Sequence, residues 1–243
     1  MKRTYTILRT MCCILACACI MVSCGSGRSG EDATGEATEG ISLSDGGRFG
    51  IWETYWASDV WPFMEQIDSL TVSLWPTEEW KQNMSATPIV GVVHISDTAR
   101  VNELIHTQQA QEIFPTSLCL RWSAAPVSEA EQYYYLIALK EGPDGGSVID
   151  NSDIEKVKAS QPRHYASAVI TIEFNQKGAS QLRELTSRTI GKNIAMVVDD
   201  RVYAFPKVMA EIEGGRCEIS GDFTREEAKA LARKIQQANK NKQ

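Results

Sequence analysis

Apolar positions along the chain fall into segments with different periods. Met11 to Val22 is an almost unbroken run of apolar and small residues. Residues 25 to 46 then hold almost no large apolar side chain. From residue 49 the chain is aromatic-rich, and Val60, Phe63, Met64, Ile67 and Leu70 recur at steps of three and four, which predicts a helix with one apolar face. Pro62 suits the first turn of such a helix. Ile89–Ile95 is rich in β-branched residues and reads as a strand. Asp97 then offers an N-cap to a helix striped by Val101, Leu104 and Ile105. A second short helix is expected at about 107–113, followed by strands at 117–122 and 132–140. EGPDGG (141–146) is turn chemistry and a plausible boundary.

Beyond it, Ala168, Ile170, Ile172 and Phe174 alternate with Val169, Thr171 and Glu173 as a strand does. Asn175 is placed to cap a helix carrying Ala179, Leu182 and Leu185, and Gly191 is placed to end it. Ile194–Val198 is a strand, Asp199-Asp200 a hairpin turn, and Val202 and Tyr203 lie on the return strand. Pro206 breaks that strand or marks an edge. Short strands are expected at Val208–Ile212 and Cys217–Ile219, on either side of Gly214-Gly215. Thr224-Arg-Glu-Glu227 reads as a capping box opening a helix with Ala228, Leu231, Ala232 and Ile235 on one face. The last residues, NKNKQ, are expected to fray. The order of elements is no regular βαβ alternation. The fold class is α+β: mainly antiparallel sheets, helices packed on one face, two subdomains.

The apolar run near the start is too short to span a bilayer, which takes about 20 residues. Behind Lys2, Arg3 and Arg9 it fits the h-region of a secretory signal. Met21-Val22-Ser23-Cys24 resembles the bacterial lipobox, with Met at the position usually held by Leu. That resemblance implies cleavage before Cys24 and acylation of its thiol and new amino group. An ordinary signal peptide with a stray cysteine is the alternative. No later run is long enough to suggest a transmembrane helix. Residues 1–23 are thus the expected signal and 24–48 an acidic tether, too polar to offset its ordering entropy. An N-terminal α+β subdomain (49–146) and a C-terminal one (147–239) follow. Gly25, Gly27 and Gly30 formally satisfy G-x-G-x-x-G, but no strand precedes them.

The 243 residues carry a formal charge of −6. Loss of residues 1–23 leaves 22 basic against 31 acidic residues, a net of −9. That balance argues against nucleic acid and puts anchoring on the acyl chains. Five of the seven cysteines lie in the first 24 residues. Cys119 and Cys217 are left in the body, too few for a disulfide framework or a cysteine zinc site. A bridge between these two suits an oxidising compartment; two buried free thiols is the reading preferred. His94, His106 and His164 have no metal-ligand spacing. Asp199-Asp200 reads as a turn, and Glu226-Glu227 as acids at a helix start. No G-x-S-x-G elbow or Walker loop is present, so no catalytic, metal or cofactor residue is assigned. An enzyme would need a pocket gathering His94, Asp97 or His164 with a nucleophile.

Three patches carry a further resemblance. GRCEISGDFTREEAKALA (215–232) resembles the G-G, I-S-G-x-F-T-x-E-E-A-x-x-L-A signature of the SecD/SecDF protein-export family. IAMVVDDRVYAFP (194–206) resembles its I-A-x-V-L-D-G-x-V-Y-S-x-P, with Asp200 where Gly is usual. VITIEFNQKGASQLRELT (169–186) resembles its V-x-x-x-x-N/D-x-x-G-A-x-x-x-x-x-L-T. Together they cover the head of the first periplasmic domain. FGIWETYWASDVWPFMEQI (49–67), HISDTARVNEL (94–104) and FPTSLCLRW (114–122) are similar to the fused SecDF proteins of Bacteroidetes, whose base would correspond to 49–146. SecDF draws on the proton gradient through membrane helices that are not found here.

The resemblance implies a non-enzymatic, membrane-tethered periplasmic module binding unfolded polypeptide or an export-complex partner, with no small-molecule cofactor. Such a module would face the periplasm, and Gly25 after the acylated cysteine favours the outer membrane over the inner. The alternative is a scaffold lipoprotein that binds another envelope protein and has no transport role. The tryptophan-rich stretch, Trp52 to Trp80, is core packing on one reading and an apolar peptide groove on another.

Overall fold

The structure is a computed structural model. It describes residues 47–240, except 68–69, 71–73, 75–77, 128–129, 131 and 163–165. Cys24, His164, Trp75 and the tether lie outside the described residues. Those described belong to one compact unit, Leu43–Gln243.

The chain enters through strand β1 (Phe49–Thr54), helix α1 (Ala57–Met64) and helix α2 (Glu78–Met84). Then come β2 (Ile89–His94), a 3₁₀ turn (Ile95–Asp97), α3 (Thr98–Ile105), α4 (Gln108–Ile113), β3 (Leu118–Ser123), β4 (Tyr133–Lys140) and β5 (Ile149–Asp150). After a second 3₁₀ turn (Asn151–Asp153) follow β6 (Ile154–Ser160), β7 (Ala168–Phe174), α5 (Gln176–Arg188), β8 (Ile194–Val198), β9 (Arg201–Ala204), β10 (Arg216–Phe223) and α6 (Arg225–Lys240). The result is the α+β arrangement expected.

Seven strands form one sheet in the order β2-β4-β3-β9-β8-β1-β5, and β10-β7-β6 form a second. All neighbours are antiparallel except β3 and β9, which run parallel. The large sheet also closes on itself. Glu53 and Thr54 of β1 pair with Lys140 and Leu139 of β4, so β1, β8, β9, β3 and β4 make a ring. Strands therefore do not divide at residue 146: β8 and β9, from beyond the expected boundary, are inserted between β3 and β1.

One core joins the two sheets. Phe49 and Ile51 of β1 and Ile194, Met196 and Val198 of β8 pack with Ile170, Ile172 and Ile219 of the small sheet. Leu182 and Leu185 of α5, and Ala228, Leu231, Ala232 and Ile235 of α6, complete it. The α6 stripe read from the sequence is the one buried, and of the α5 stripe Leu182 and Leu185 are buried while Ala179 is half-buried. Each such Leu or Ile contributes on the order of 1.5–3 kcal/mol of apolar burial. Around the N-terminal elements Val60, Met64, Ile67, Leu70 and Leu74 are buried. All of β2 but His94 is buried too.

Helix ends follow the sequence closely. Asn175 accepts from Gly178 N–H at 3.0 Å. Thr224 N–H donates to Glu227 Oε2 at 2.8 Å while Glu227 N–H donates to Thr224 Oγ1 at 3.2 Å, a complete capping box. Gly191 takes φ +84° just past the end of α5, the left-handed conformation that favours glycine there. Asp199 and Asp200 both sit at positive φ, +47° and +64°. For a residue with a Cβ that backbone costs roughly 1–2 kcal/mol. The turn is held by its own side chains: Asp199 accepts from Arg48 N–H at 2.8 Å, and Asp200 pairs with Arg48 (2.8 Å) and Arg121 (3.3 Å). Asp199 pairs with Lys234 of α6.

Several expectations are corrected. α1 begins at Ala57, so Pro62 lies inside it; the helix stops two residues later, because proline removes a donor and crowds the preceding turn. Asp97 makes no side-chain cap; His94 Nδ1 accepts from Ser96 N–H and starts a 3₁₀ turn instead. Val208–Ile212 forms no strand; the isolated bridge Asn193–Lys207 lies just before it. Strands β1, β5 and β6 were not anticipated. Asn239, expected to fray, is buried and donates to Ile154 C=O at 2.9 Å.

A second buried amide ties the entering chain to this core. Asn151 Oδ1 accepts from Phe49 N–H at 2.8 Å, and its Nδ2 donates to Gly47 C=O (3.2 Å) and Ile235 C=O (3.4 Å). Gly47 lies so close to α6 that a Cβ there would come within 2.9 Å of Lys234 backbone. Asn151→Ala strands the buried Phe49 amide and should destabilise the fold by about 1–3 kcal/mol. Thermal unfolding should show it as a loss of roughly 2–4 °C per kcal/mol. An unchanged Tm would contradict this role.

Candidate functional site

β6 reads IEKVKAS, and its side chains alternate between the two faces of the small sheet. Lys156 and Lys158 are exposed, whereas Val157 and Ala159 turn toward α6. Helix α6 is asymmetric in charge. Glu226 and Glu227 lie in its first turn, where acids suit the helix dipole. Beyond them the charged residues are basic: Lys229, Arg233, Lys234 and Lys240. Its apolar stripe must face the core, which sets Lys229 and Arg233 along the flank beside β6.

Between helix and strand runs an open groove of about 370 Å³, lined by Val157, Ala159, Lys229, Ala232, Arg233 and Gln236, with Gln237 at its rim. Its floor is apolar and one wall is cationic. Lys234 is neutralised by Asp199. Lys229 and Arg233 have no acidic partner within 4.0 Å among the described residues. At its β6 edge Val157 N–H donates to Gln236 Oε1 at 3.1 Å. The groove thus offers an apolar strip, amide groups and two unpaired cations, which suit a chain with a carboxylate.

Residues singled out from the sequence do not converge. Cys119 is on β3 of the large sheet and Cys217 on β10 of the small one, and both are free and buried. The bridge between them is not formed. Burial pushes the Cys217 thiol up to about 12, with Glu218 adding to it, and burial also raises Cys119. His94 shares Ser96 Oγ (2.8 Å) at the surface, and that hydroxyl donates to Asp97 Oδ2 (3.3 Å). Here serine links histidine and aspartate, and no carboxylate orients the imidazole, so the group stabilises a turn. His106 Nδ1 lies 2.7 Å from Asn102 C=O on α3. Among the described residues no three His, Cys, Asp or Glu side chains gather as metal ligands, and no helix is long and apolar enough to cross a membrane.

Sequence reading missed β6, Gln236 and the groove. A signal existed in the period-two run Lys156-Val157-Lys158-Ala159, but it is short and its apolar members are small. The buried thiols generate a test. In the native protein Cys119 and Cys217 should resist iodoacetamide at pH 8, since a raised thiol pKa leaves little thiolate. After denaturation without reductant both should alkylate fully, as peptide mapping would read. Protection that persists in denaturant until reductant is added would mean a disulfide.

Comparisons with known proteins bear on the same region. The model of the SecDF P1 head subdomain matches residues 131–238. The protein translocase subunit SecD of Rhodothermus marinus is 34% identical over 147 residues, 59% of this chain and 23% of that protein. SecD of Calditerrivibrio nitroreducens is 43% identical over 63 residues, 26% of this chain and 12% of its own length. The chain therefore spans less than a quarter of these curated relatives. A solved structure of SecDF, described as a membrane component that enhances protein export, aligns over 79% of this chain and 93% of its own at 17% identity, with a TM-score of 0.37. The groove's lining residues, β6 and α6 up to residue 238 lie inside the matched segment, and residues 131–238 make up a domain like the SecDF P1 head.

Proposed function

We propose that the chain is a lipid-anchored, non-enzymatic module of the cell envelope that binds extended polypeptide in the groove between β6 and α6. The observation that carries this reading is the groove itself, an apolar floor beside two unpaired cations within the head-like domain. Export chaperoning would need such a surface, since an unfolded chain presents backbone amides and apolar side chains together. The anchor rests on Cys24 behind its apolar run, and the signal and tether on 1–23 and 24–48. Several acyl chains at one cysteine hold a protein at a bilayer stably, each buried CH₂ adding about 0.8 kcal/mol. Gly25 after the acylated cysteine favours the outer membrane over the inner, with the body facing the periplasm, and the net acidic charge leaves anchoring to the acyl chains. The partner would be an exported polypeptide, with a component of the export machinery as the site of delivery.

Two measurements test the reading. Radiolabelled palmitate should enter the wild-type chain and not Cys24→Ala, and the variant should leave the membrane fraction. Binding of a fluorescein-labelled unfolded polypeptide to the full chain should weaken about tenfold in K229E/R233E, the size of about 1.4 kcal/mol. Retained labelling in the variant would end the anchor. Binding unaffected by the double charge reversal would end the groove as the site, and tight binding of one folded envelope protein instead would favour the scaffold reading.

A further inference from the structure

β6 is an outer strand of the small sheet, and its free edge faces the groove. The ladder with β7 fixes which backbone groups point outward. Antiparallel pairs alternate: one residue gives both its N–H and C=O to the neighbour, the next turns both away. Val157 lies opposite Ile172, yet its N–H goes to Gln236 Oε1, so it is an outward residue. Ala159, two positions on and opposite Ile170, must turn the same way. Its N–H and C=O therefore open toward the groove that its side chain lines.

Natural proteins blunt such edges, because an unpaired strand recruits another chain. Here blunting is partial. Asn239 donates to Ile154 C=O at 2.9 Å, and Gln236 takes the Val157 amide at 3.1 Å. Among the described residues no side chain of α6 does the same for Ala159. The Gln236 amide oxygen stands where the carbonyl oxygen of an added strand would stand, and it is chemically the same acceptor. Lys229 and Arg233 flank this open stretch without a carboxylate partner.

We infer that an extended polypeptide segment adds to the β6 edge as a further strand. Its backbone pairs with Ala159 and replaces Gln236 at the Val157 amide, and an acidic side chain of the segment sits between Lys229 and Arg233. This rests on the groove being the polypeptide site and specifies how it is used. Main-chain pairing gives affinity for any extended sequence, while the two cations prefer a carboxylate, the stronger charge-assisted partner.

The test uses the full chain and three nine-residue peptides of alternating Val and Thr. One carries a central Glu, one a central Gln, and one repeats the Glu peptide with alternate backbone nitrogens methylated, prepared in both phases. Affinity is read by anisotropy and the Ala159 amide by hydrogen exchange. The Glu peptide should bind about tenfold more tightly than the Gln peptide at low salt. One methylation phase should abolish binding and the other leave it intact, since only alternate amides face β6. Bound Glu peptide should slow Ala159 exchange at least tenfold, and Gln236→Ala should tighten binding by removing the internal competitor. If both methylated phases bind equally and Ala159 exchange is unchanged, strand addition is wrong while the groove survives as a site. Equal affinity for Glu and Gln peptides overturns the carboxylate preference. No binding of any peptide overturns the groove reading as well.

Discussion

Strand β1 has no partner close to it in the chain, and the rest of the molecule is organised around that fact. Phe49–Glu53 pairs with Ile194–Val198, Gly50 and Ile51 pair with Ile149 and Asp150, and Thr54 meets Leu139. Each contact spans more than 80 residues. Closing such loops costs entropy that only a large buried area offsets. Phe49 and Ile51 supply part of that area, on the side where the small sheet, α5 and α6 meet. Asn151 locks the arrangement by holding the Phe49 amide, Gly47 and α6 together. The point at which the chain enters the fold is thus bound to the helix that forms one wall of the groove.

That coupling explains why the groove exists. α6 has to press its apolar stripe onto the core, and the stripe is flanked by Lys229 and Arg233 at positions that fall beside β6. The sheet ends at β6, so its outward amides need partners. Two carboxamides of α6, Gln236 and Asn239, serve them in part, and the remainder faces solvent between helix and strand. Burial at the centre and exposure at the edge come from the same helix.

Legibility in the sequence follows the strength of local signals. The C-terminal helices and their caps were readable because Asn175, Thr224 and Glu227 act on backbone groups three residues away. The Asp199-Asp200 turn was readable because Asp tolerates the positive φ of a tight turn, although the groups that hold it, Arg48, Arg121 and Lys234, are distant in sequence. β1 was not: FGIWET mixes Gly with aromatics, and what makes it a strand is pairing with distant residues. β6 was hidden because Val157 and Ala159 are small and Lys156 and Lys158 dominate its composition. The expected boundary at 146 rested on EGPDGG, which is a turn as read, but a turn says nothing about which sheet receives the strands beyond it. Val208–Ile212 had a suitable composition but forms no strand: Val208 exchanges backbone hydrogen bonds with Gly191 and Lys192, and the isolated bridge beside it joins Lys207 to Asn193. The candidate site needed both failures repaired, since it lies between a strand unseen in the sequence and a helix read correctly.

Newly exported chains are proposed to lie in the groove between β6 and α6. Site-specific photo-crosslinking in growing cells reads this out, with the photoreactive residue at Gln237 in the groove and, as control, at Glu184 on the exposed side of α5. Pulse-labelled exported proteins should crosslink from position 237, fade during a chase as they fold, and be nearly absent from position 184. Equal crosslinking from both positions, or adducts at 237 that consist of one stable folded partner and persist through the chase, would contradict it.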